Sequence, residues 1–243
     1  MANHRFYCDM QLGISNTIDL PAPVSSHIVK VLRLTSGSPV ILFNGDGNDY
    51  EAELIIQGKK ASATVTAQLV NRARSPINTH LGQALSRSDR MDYSIQKSVE
   101  MGINAITPLI TERVQFRMDA KRIEKKRQHW QGIIISACEQ CGRSDIPELH
   151  PVMKLEEWLS SSAEKTLLLD PTAPRSLSEC LDQDYSGSDE VRLVIGPEGG
   201  FSDAELATAD PYIHRATIGP RILRTETAAT AVLAIIQNKL GDF

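Results

Sequence analysis

Ile195-Gly196-Pro197-Glu198-Gly199-Gly200-Phe201 follows an apolar run, Val191 to Ile195, and leads into Ser202-Asp203-Ala204-Glu205. The order is strand, glycine turn, helix start. Glycines have no Cβ, so the main chain can turn sharply there and let a ligand come close. The new helix offers unpaired N–H groups at its N-terminus. A second stretch, Ile218-Gly219-Pro220-Arg221-Ile222-Leu223-Arg224-Thr225-Glu226-Thr227-Ala228, repeats the same grammar. The pattern predicts that the two loops build one pocket.

Outward from these loops, strand and helix candidates alternate. The strands are His80 to Leu85, Ala105 to Ile110, Thr166 to Leu169, Val191 to Ile195 and Ala216 to Ile218. The helices are Arg90 to Met101, Ala120 to Gln140, Ser202 to Ala209 and Glu226 to Leu240. Alternation at this spacing predicts an α/β fold, a largely parallel sheet with helices on both faces. Ligands in such sheets sit outside the carboxyl ends of the strands, where both glycine stretches fall. The last helix is apolar on most faces and is expected to be buried. Thr225 and Thr227 can cap it, with Glu226 favourably placed in its first turn. Asp184 to Asp189 reads as a polar surface loop.

The first part of the chain has a different texture. His4 to Cys8, Pro39 to Phe43, Asp49 to Ile56 and Ala61 to Val70 read as strands, with turns at Gly45 to Asn48 and Gly58 to Lys60. Ser26 to Leu34 has helical periodicity, with Ser25 or Ser26 as a cap. Several short strands and one helix suggest a small barrel. The polar segment Asn71 to Asn78 marks the boundary, giving domains 1–72 and 73–243.

Composition narrows the function. With 41% hydrophobic and 23% charged residues, the 243-residue chain is an ordinary globular protein. A net charge of -4 argues against gripping nucleic acid by bulk charge, though not against a local basic face. A basic run between Arg113 and Arg127, including Arg117, offers such a face or simply a solvated one. No apolar run is long enough to span a bilayer, and the first residues lack a signal-peptide core, so a cytoplasmic location is expected. The four cysteines are too scattered for a disulfide framework, and Cys138-x-x-Cys141 lacks a second pair for zinc. No metal is expected. No Lys follows Gly200 in P-loop fashion, and no G-x-G-x-x-G is present. No nucleophile triad or paired-carboxylate pattern is evident.

With these residues in view, the chain resembles the small-subunit (16S) ribosomal RNA uridine N3-methyltransferase family (RsmE-like) of the SPOUT superfamily. The resemblance spans nearly the whole chain: Arg5-Phe6-Tyr7, His27 to Gly45, Asp89-Arg90-Met91, Gln96-Lys97, Glu100-Met101-Gly102, Glu139-Gln140 and Arg143-Ser144. It is most specific in Ile195 to Ser202 with Glu205 and in Gly219 to Ala228. Ser86-Arg87-Ser88 departs from it, keeping a cation but no glycine.

The resemblance implies a PUA-like N-terminal β-barrel that helps hold RNA. It also implies a SPOUT-type sheet with a C-terminal trefoil knot near 166–240, S-adenosylmethionine (SAM) as cofactor, and a homodimer. The substrate would be ribosomal RNA, within the small subunit. Cofactor binding would fall to Leu169, Gly196, Pro197, Glu198, Gly199, Gly200, Ile218, Gly219, Arg221, Leu223, Glu226 and Thr227. Arg224, Arg143 and Glu198 would be catalytic, and Arg5, Arg87, Arg90, Lys97 and Arg143 would meet RNA. Other readings stay open: a ribose 2′-O methyltransferase of the same fold, a non-catalytic RNA-binding assembly factor, or a nucleotide-phosphate enzyme using Gly196 to Gly200 as an anion nest.

Overall fold

The computed structural model describes residues 4–114, 119–161, 165–207 and 213–243. They fall into two compact units, one within residues 4–74 and 138–146 and the other within residues 75–137 and 147–243.

The first unit holds β1 (His4–Tyr7), β2 (Thr17–Asp19), α1 (Ala22–Ser26), β3 (Pro39–Phe43), β4 (Asn48–Gln57) and β5 (Lys60–Val70). Their sheet runs β1-β3-β4-β5-β2, with β1 parallel to β3 and the other pairs antiparallel. Alternate residues turn to one core: Phe6 on β1, Val40 and Leu42 on β3, Tyr50, Ala52 and Leu54 on β4, Ala61, Ala63 and Val65 on β5. Ile18 of β2 packs against the same cluster, so the sheet curls around a single interior, as a small barrel-like domain does. Gly58, with φ of +62°, makes the tight turn between β4 and β5.

Residues 138–146, which the sequence boundary gave to the larger domain, pack with this unit. They are tied there by charge. Arg5 binds Asp49 through both Nη atoms, at 2.9 and 2.8 Å, and donates to Ser144 Oγ at 2.7 Å. Asn71 Nδ2 bridges Asp49 and the Gly142 carbonyl. Burial pushes the Asp49 carboxyl up, but hydrogen bonds from Arg5, Ser144 and Asn71 outweigh it and hold it below the usual carboxylate value.

The second unit holds β6 (Asn78–Ala84), α2 (Ser88–Glu100), β7 (Ala105–Ile110), most of α3 (Ala120–Cys141), β8 (Glu148–Leu149), β9 (Met153–Lys154) and α4 (Leu155–Ser160). It continues with β10 (Thr166–Leu169), α5 (Leu177–Asp184), β11 (Glu190–Ile195), α6 (Asp203–Ala207), β12 (Ile213–Ala216) and α7 (Thr225–Leu240). Its sheet is parallel throughout, in the order β12-β10-β11-β6-β7-β8, with β9 also on β7. Strand β10 therefore lies between β11 and β12. Because the three strands are parallel, the loops that follow them leave from the same, carboxyl, end of the sheet. Gly82 brings β6 close to its cover, since a Cβ there would stand 2.8 Å from Leu109 Cδ1 and 3.2 Å from the Trp158 ring.

Several local expectations shift. The first helix starts at Ala22, not Ser26, with Pro21 at its N-cap and Pro23 in its first turn, and it continues as a π-helical turn over 27–32. The fixed φ of proline suits a helix start. Ser25 caps nothing: its buried hydroxyl donates to the Leu20 carbonyl at 3.0 Å. The strand expected at Ala216 to Ile218 lies at Ile213–Ala216. Strands β2, β8 and β9 and helices α4 and α5 were not foreseen. Helix α6 runs from Asp203 to Ala207, and residues 208 and 209 of the expected helix, like Arg117 of the basic run, lie outside the described residues.

Candidate functional site

Helix α6 begins with a capping box: the Ser202 N–H donates to Glu205 Oε2 at 2.8 Å, and the Glu205 N–H donates to Ser202 Oγ at 3.2 Å. This anchors the far end of the first glycine loop. Within the loop, the Gly200 N–H donates to the Pro197 carbonyl at 2.9 Å, and Gly200 takes φ of +67°. Gly196 is needed for a different reason. A Cβ there would lie 3.1 Å from Phe201 Cε2 and 3.2 Å from Cζ. Arg90 Nη1 donates to Glu198 Oε1 at 2.7 Å, and Arg113 Nη1 donates to the Gly199 carbonyl at 3.0 Å. Two arginines, Arg90 in the first turn of α2 and Arg113 in the segment after β7, thus hold the outer rim of the loop.

The second loop leaves β12 through Thr217, whose hydroxyl donates to the Gly219 carbonyl at 3.2 Å. Gly219 has φ of +117°, a conformation that favours glycine. The N-cap of α7 is Arg224, which makes no side-chain capping bond. Thr225 does not cap the helix as expected. Its hydroxyl donates instead to the Gly196 carbonyl at 2.8 Å, joining the second loop to the first.

A third loop, after β10, completes the site and was missed from sequence. Asp170 there is 5% exposed, and its Oδ1 accepts from the Thr172 N–H and hydroxyl, each at 2.9 Å. Its Oδ2 accepts from Arg215 Nε at 2.7 Å and also from Arg215 Nη2. Burial pushes this carboxyl up, but the bonds from Thr172 and Arg215 prevail and keep it ionised below the usual range.

The three loops enclose a cavity of about 580 Å³. Of the residues expected to hold a cofactor, it brings together Leu169, Gly196, Pro197, Glu198, Gly200, Ile218, Gly219, Arg221 and Leu223, and Arg224 joins them. Phe201 of the first glycine stretch lines it too, and it adds Asp170, Thr172 and Arg113, which the sequence reading does not place there. Arg90, expected to meet RNA, also lines it. Four arginines (Arg90, Arg113, Arg221, Arg224) face three carboxylates (Asp170, Glu198, Asp203), so the rim does not repel a polyanion.

Other expected residues lie elsewhere. Gly199, Glu226 and Thr227 are not in the cavity lining. Gly199 contributes by its carbonyl to Arg113, while Glu226 has a buried Oε2 without a hydrogen-bond partner among the described residues. Arg143 is 2% exposed in the first unit and is paired with Asp145 at 2.5 Å. Arg5 is engaged by Asp49 in the same unit. Lys97 is paired with Glu100 at 2.7 Å, and Arg87 is the exposed N-cap of α2.

Among the described residues, no group of three or more His, Cys, Asp or Glu is placed to hold a metal ion. Likewise, no described helix is long and apolar enough to cross a membrane. Cys138 and Cys141 are free thiols, and burial pushes Cys138 to about 12, far from a reactive thiolate.

Residues 73–237 match the RNA methyltransferase domain family, and residues 20–66 match the RNA methyltransferase PUA domain. The ribosomal RNA small subunit methyltransferase E of Buchnera aphidicola subsp. Schizaphis graminum is 35% identical over 98% of this chain and 97% of its own. A methyltransferase from Legionella pneumophila in complex with SAM superposes with a TM-score of 0.93 at 36% identity, covering all of both chains. The SAM-bound ribosomal RNA small subunit methyltransferase E of Neisseria gonorrhoeae does so at 0.91 and 34%, again over all of both chains. A match to both domain families and full-length similarity to these proteins assign the chain to the ribosomal RNA small subunit methyltransferase E family.

Proposed function

We propose that this chain transfers the methyl group of SAM to N3 of one uridine in small-subunit ribosomal RNA. The observation that carries the proposal is the meeting of both glycine loops around a single cavity, with Thr225 bonded directly to Gly196. Two similar proteins of the same fold hold SAM.

The residues present fit that cofactor. A cavity of about 580 Å³ falls within the usual range for small-molecule sites. Leu169, Ile195, Phe201 and Ile218 give it apolar walls suited to an adenine and an alkyl chain. The main chain at Leu169, Gly196, Ile218 and Leu223 would hold the cofactor's polar edges. When bound, SAM supplies an activated methyl group on a positively charged sulfur.

The chain's own tasks are orientation and charge. Removing the proton from uridine N3 at neutral pH costs roughly 3 kcal/mol, since this group is about two units above neutrality. Arg224, an exposed cation at the cavity and at the start of α7, is assigned to stabilise the charge that develops on the uracil. Glu198 already accepts from Arg90, so its assigned role is to shape the loop rather than to take the proton. Arg143, buried against Asp145, is assigned to structure in the first unit. The target base must leave any stack to enter the cavity, which favours an unpaired loop of RNA.

The same proposal includes the trefoil knot near 166–240, a homodimer and a cytoplasmic location. For the knot, the support is that β12 lies beyond β10 while α7 packs back against α2 and β11. For the dimer, it is Ile222, 84% exposed on a cavity loop.

The test supplies SAM and small ribosomal subunits lacking the modification, followed by mass spectrometry of the nucleosides. N3-methyluridine is the expected product. A 2′-O-methylated nucleoside would overturn the target atom, and no SAM binding by calorimetry would overturn the cofactor.

A further inference from the structure

Gln83 lies on β6, level with Ile195 of β11, and is fully buried. It does not line the cavity. Its Oε1 accepts from Ser94 Oγ of α2 at 2.8 Å, and its Nε2 donates to Thr225 Oγ1 at 2.9 Å. Thr225 in turn donates to the Gly196 carbonyl at 2.8 Å. A helix, a sheet strand and both cavity loops are thus joined by one chain of hydrogen bonds.

The direction of that chain is fixed from one end. The Gly196 carbonyl can only accept, so the single hydroxyl hydrogen of Thr225 is committed to it. Thr225 Oγ1 must then accept, and the only donor Gln83 can offer is its NH2 group. The Gln83 carbonyl consequently faces Ser94, which must donate. The second Nε2 hydrogen has the Ala84 carbonyl at 3.3 Å. A methionine at 83 would fill nearly the same volume, and an ionised glutamate would offer Thr225 no hydrogen. Packing therefore does not require the amide; the directed bonds do.

We propose that Gln83 is the positioning residue that keeps the two cavity loops in register for SAM. The proposal rests on the SAM reading of the cavity. Without the Gln83 donor, Thr225 can rotate its hydroxyl away from Gly196, and the loops lose their direct tie. The cofactor must then order them on binding. A loss of about tenfold in affinity is expected, the share of one buried hydrogen bond.

The experiment measures SAM binding by calorimetry and turnover at saturating SAM for wild type, Gln83→Met, Thr225→Val and the double variant, each checked for a single cooperative melt. Gln83→Met is expected to bind SAM about tenfold more weakly, with turnover at saturation kept within about threefold. A merely destabilised enzyme would lose active fraction and keep its affinity. The double variant is expected to bind no more weakly than Thr225→Val alone, because both changes break one chain. Ser94→Ala is the second variant should Gln83→Met fail to fold, with Ser94→Thr restoring the donor. Wild-type affinity in Gln83→Met or Ser94→Ala, or fully multiplicative losses in the double variant, would overturn the role of Gln83. Failure of the wild type itself to bind SAM would overturn the cofactor reading instead.

Discussion

Gly196 and Gly200 occupy the same loop for different physical reasons, and alanine at each position separates them. Alanine at 196 brings a methyl group to 3.1–3.4 Å from three atoms of the Phe201 ring. The ring cannot retreat inward, because Phe201 is 7% exposed and packed with Trp158, Leu168 and Val194. Its open side is the cavity that it lines. Overpacking of this kind costs about 1–3 kcal/mol. In the free protein, part of that strain relaxes into open space. A bound cofactor closes the space and returns the strain to the binding equilibrium. The expected loss of SAM affinity is therefore about 5- to 150-fold. At Gly200 a Cβ meets nothing within 4 Å, but φ is +67°. Alanine there costs about 1–2 kcal/mol of stability by backbone strain. Asparagine, which tolerates this region, should recover most of it. The assay is SAM calorimetry paired with chemical denaturation for both alanine variants. Gly196→Ala should lose affinity more than stability, and Gly200→Ala the reverse. Wild-type SAM affinity in Gly196→Ala would refute the reasoning, since the ring would then have moved without entering the cavity.

Arg224→Ala is expected to lower turnover by about 10²–10³ with SAM affinity nearly kept, the signature of lost charge stabilisation; single-turnover kinetics checks it. Arg5→Ala should destabilise the first unit by about 2–3 kcal/mol, because it strips the ionic donor from half-buried Asp49. Denaturation read by hydrogen exchange over 4–74 checks this, and a loss confined to RNA binding would contradict it. Burial first, then His150 and Arg192, push His80 down to about 3. Between about pH 6.5 and 3 the unfolded chain binds a proton that the folded chain does not, so stability falls as pH falls, by up to about 1.4 kcal/mol per unit. Denaturation midpoints across that window should show the slope, and His80→Gln should flatten it.

Sequence reading found what periodicity encodes. Ala105–Ile110 and Thr166–Leu169 match their expected bounds because short β-branched or leucine runs between polar residues have few other uses. The α4 helix escaped because its six residues, Leu155–Ser160, are too few to display a helical period. Helix α5 carries a Ser176–Glu179 capping box, a signal that was present but overlooked. Arg5 shows the opposite failure. An arginine near the start of a domain compared with RNA binders suggests a phosphate contact, yet no local pattern reveals that Asp49 and Ser144 lie beside it. Pairings over such sequence separations are tertiary facts.

The same distinction explains why the site was only partly legible. Two of its loops announce themselves by glycine, since close approach and positive φ leave few residue choices. The third, after β10, contains no glycine and works through side chains: Asp170 is held by Thr172 and Arg215. Yet the rule that places ligands outside strand carboxyl ends applies to every strand of a parallel sheet. Applied to Thr166–Leu169, it would have named Asp170 at once, and applied to Ala105–Ile110 it would have led to Arg113. Glycine reports where the backbone must yield to a ligand, whereas strand order reports which loops share it. Because β10 lies between β11 and β12, its loop cannot avoid the space between theirs, whatever residues it carries. Substitutions at Asp170 or Thr172 should consequently move cofactor affinity although neither residue belongs to a recognisable motif.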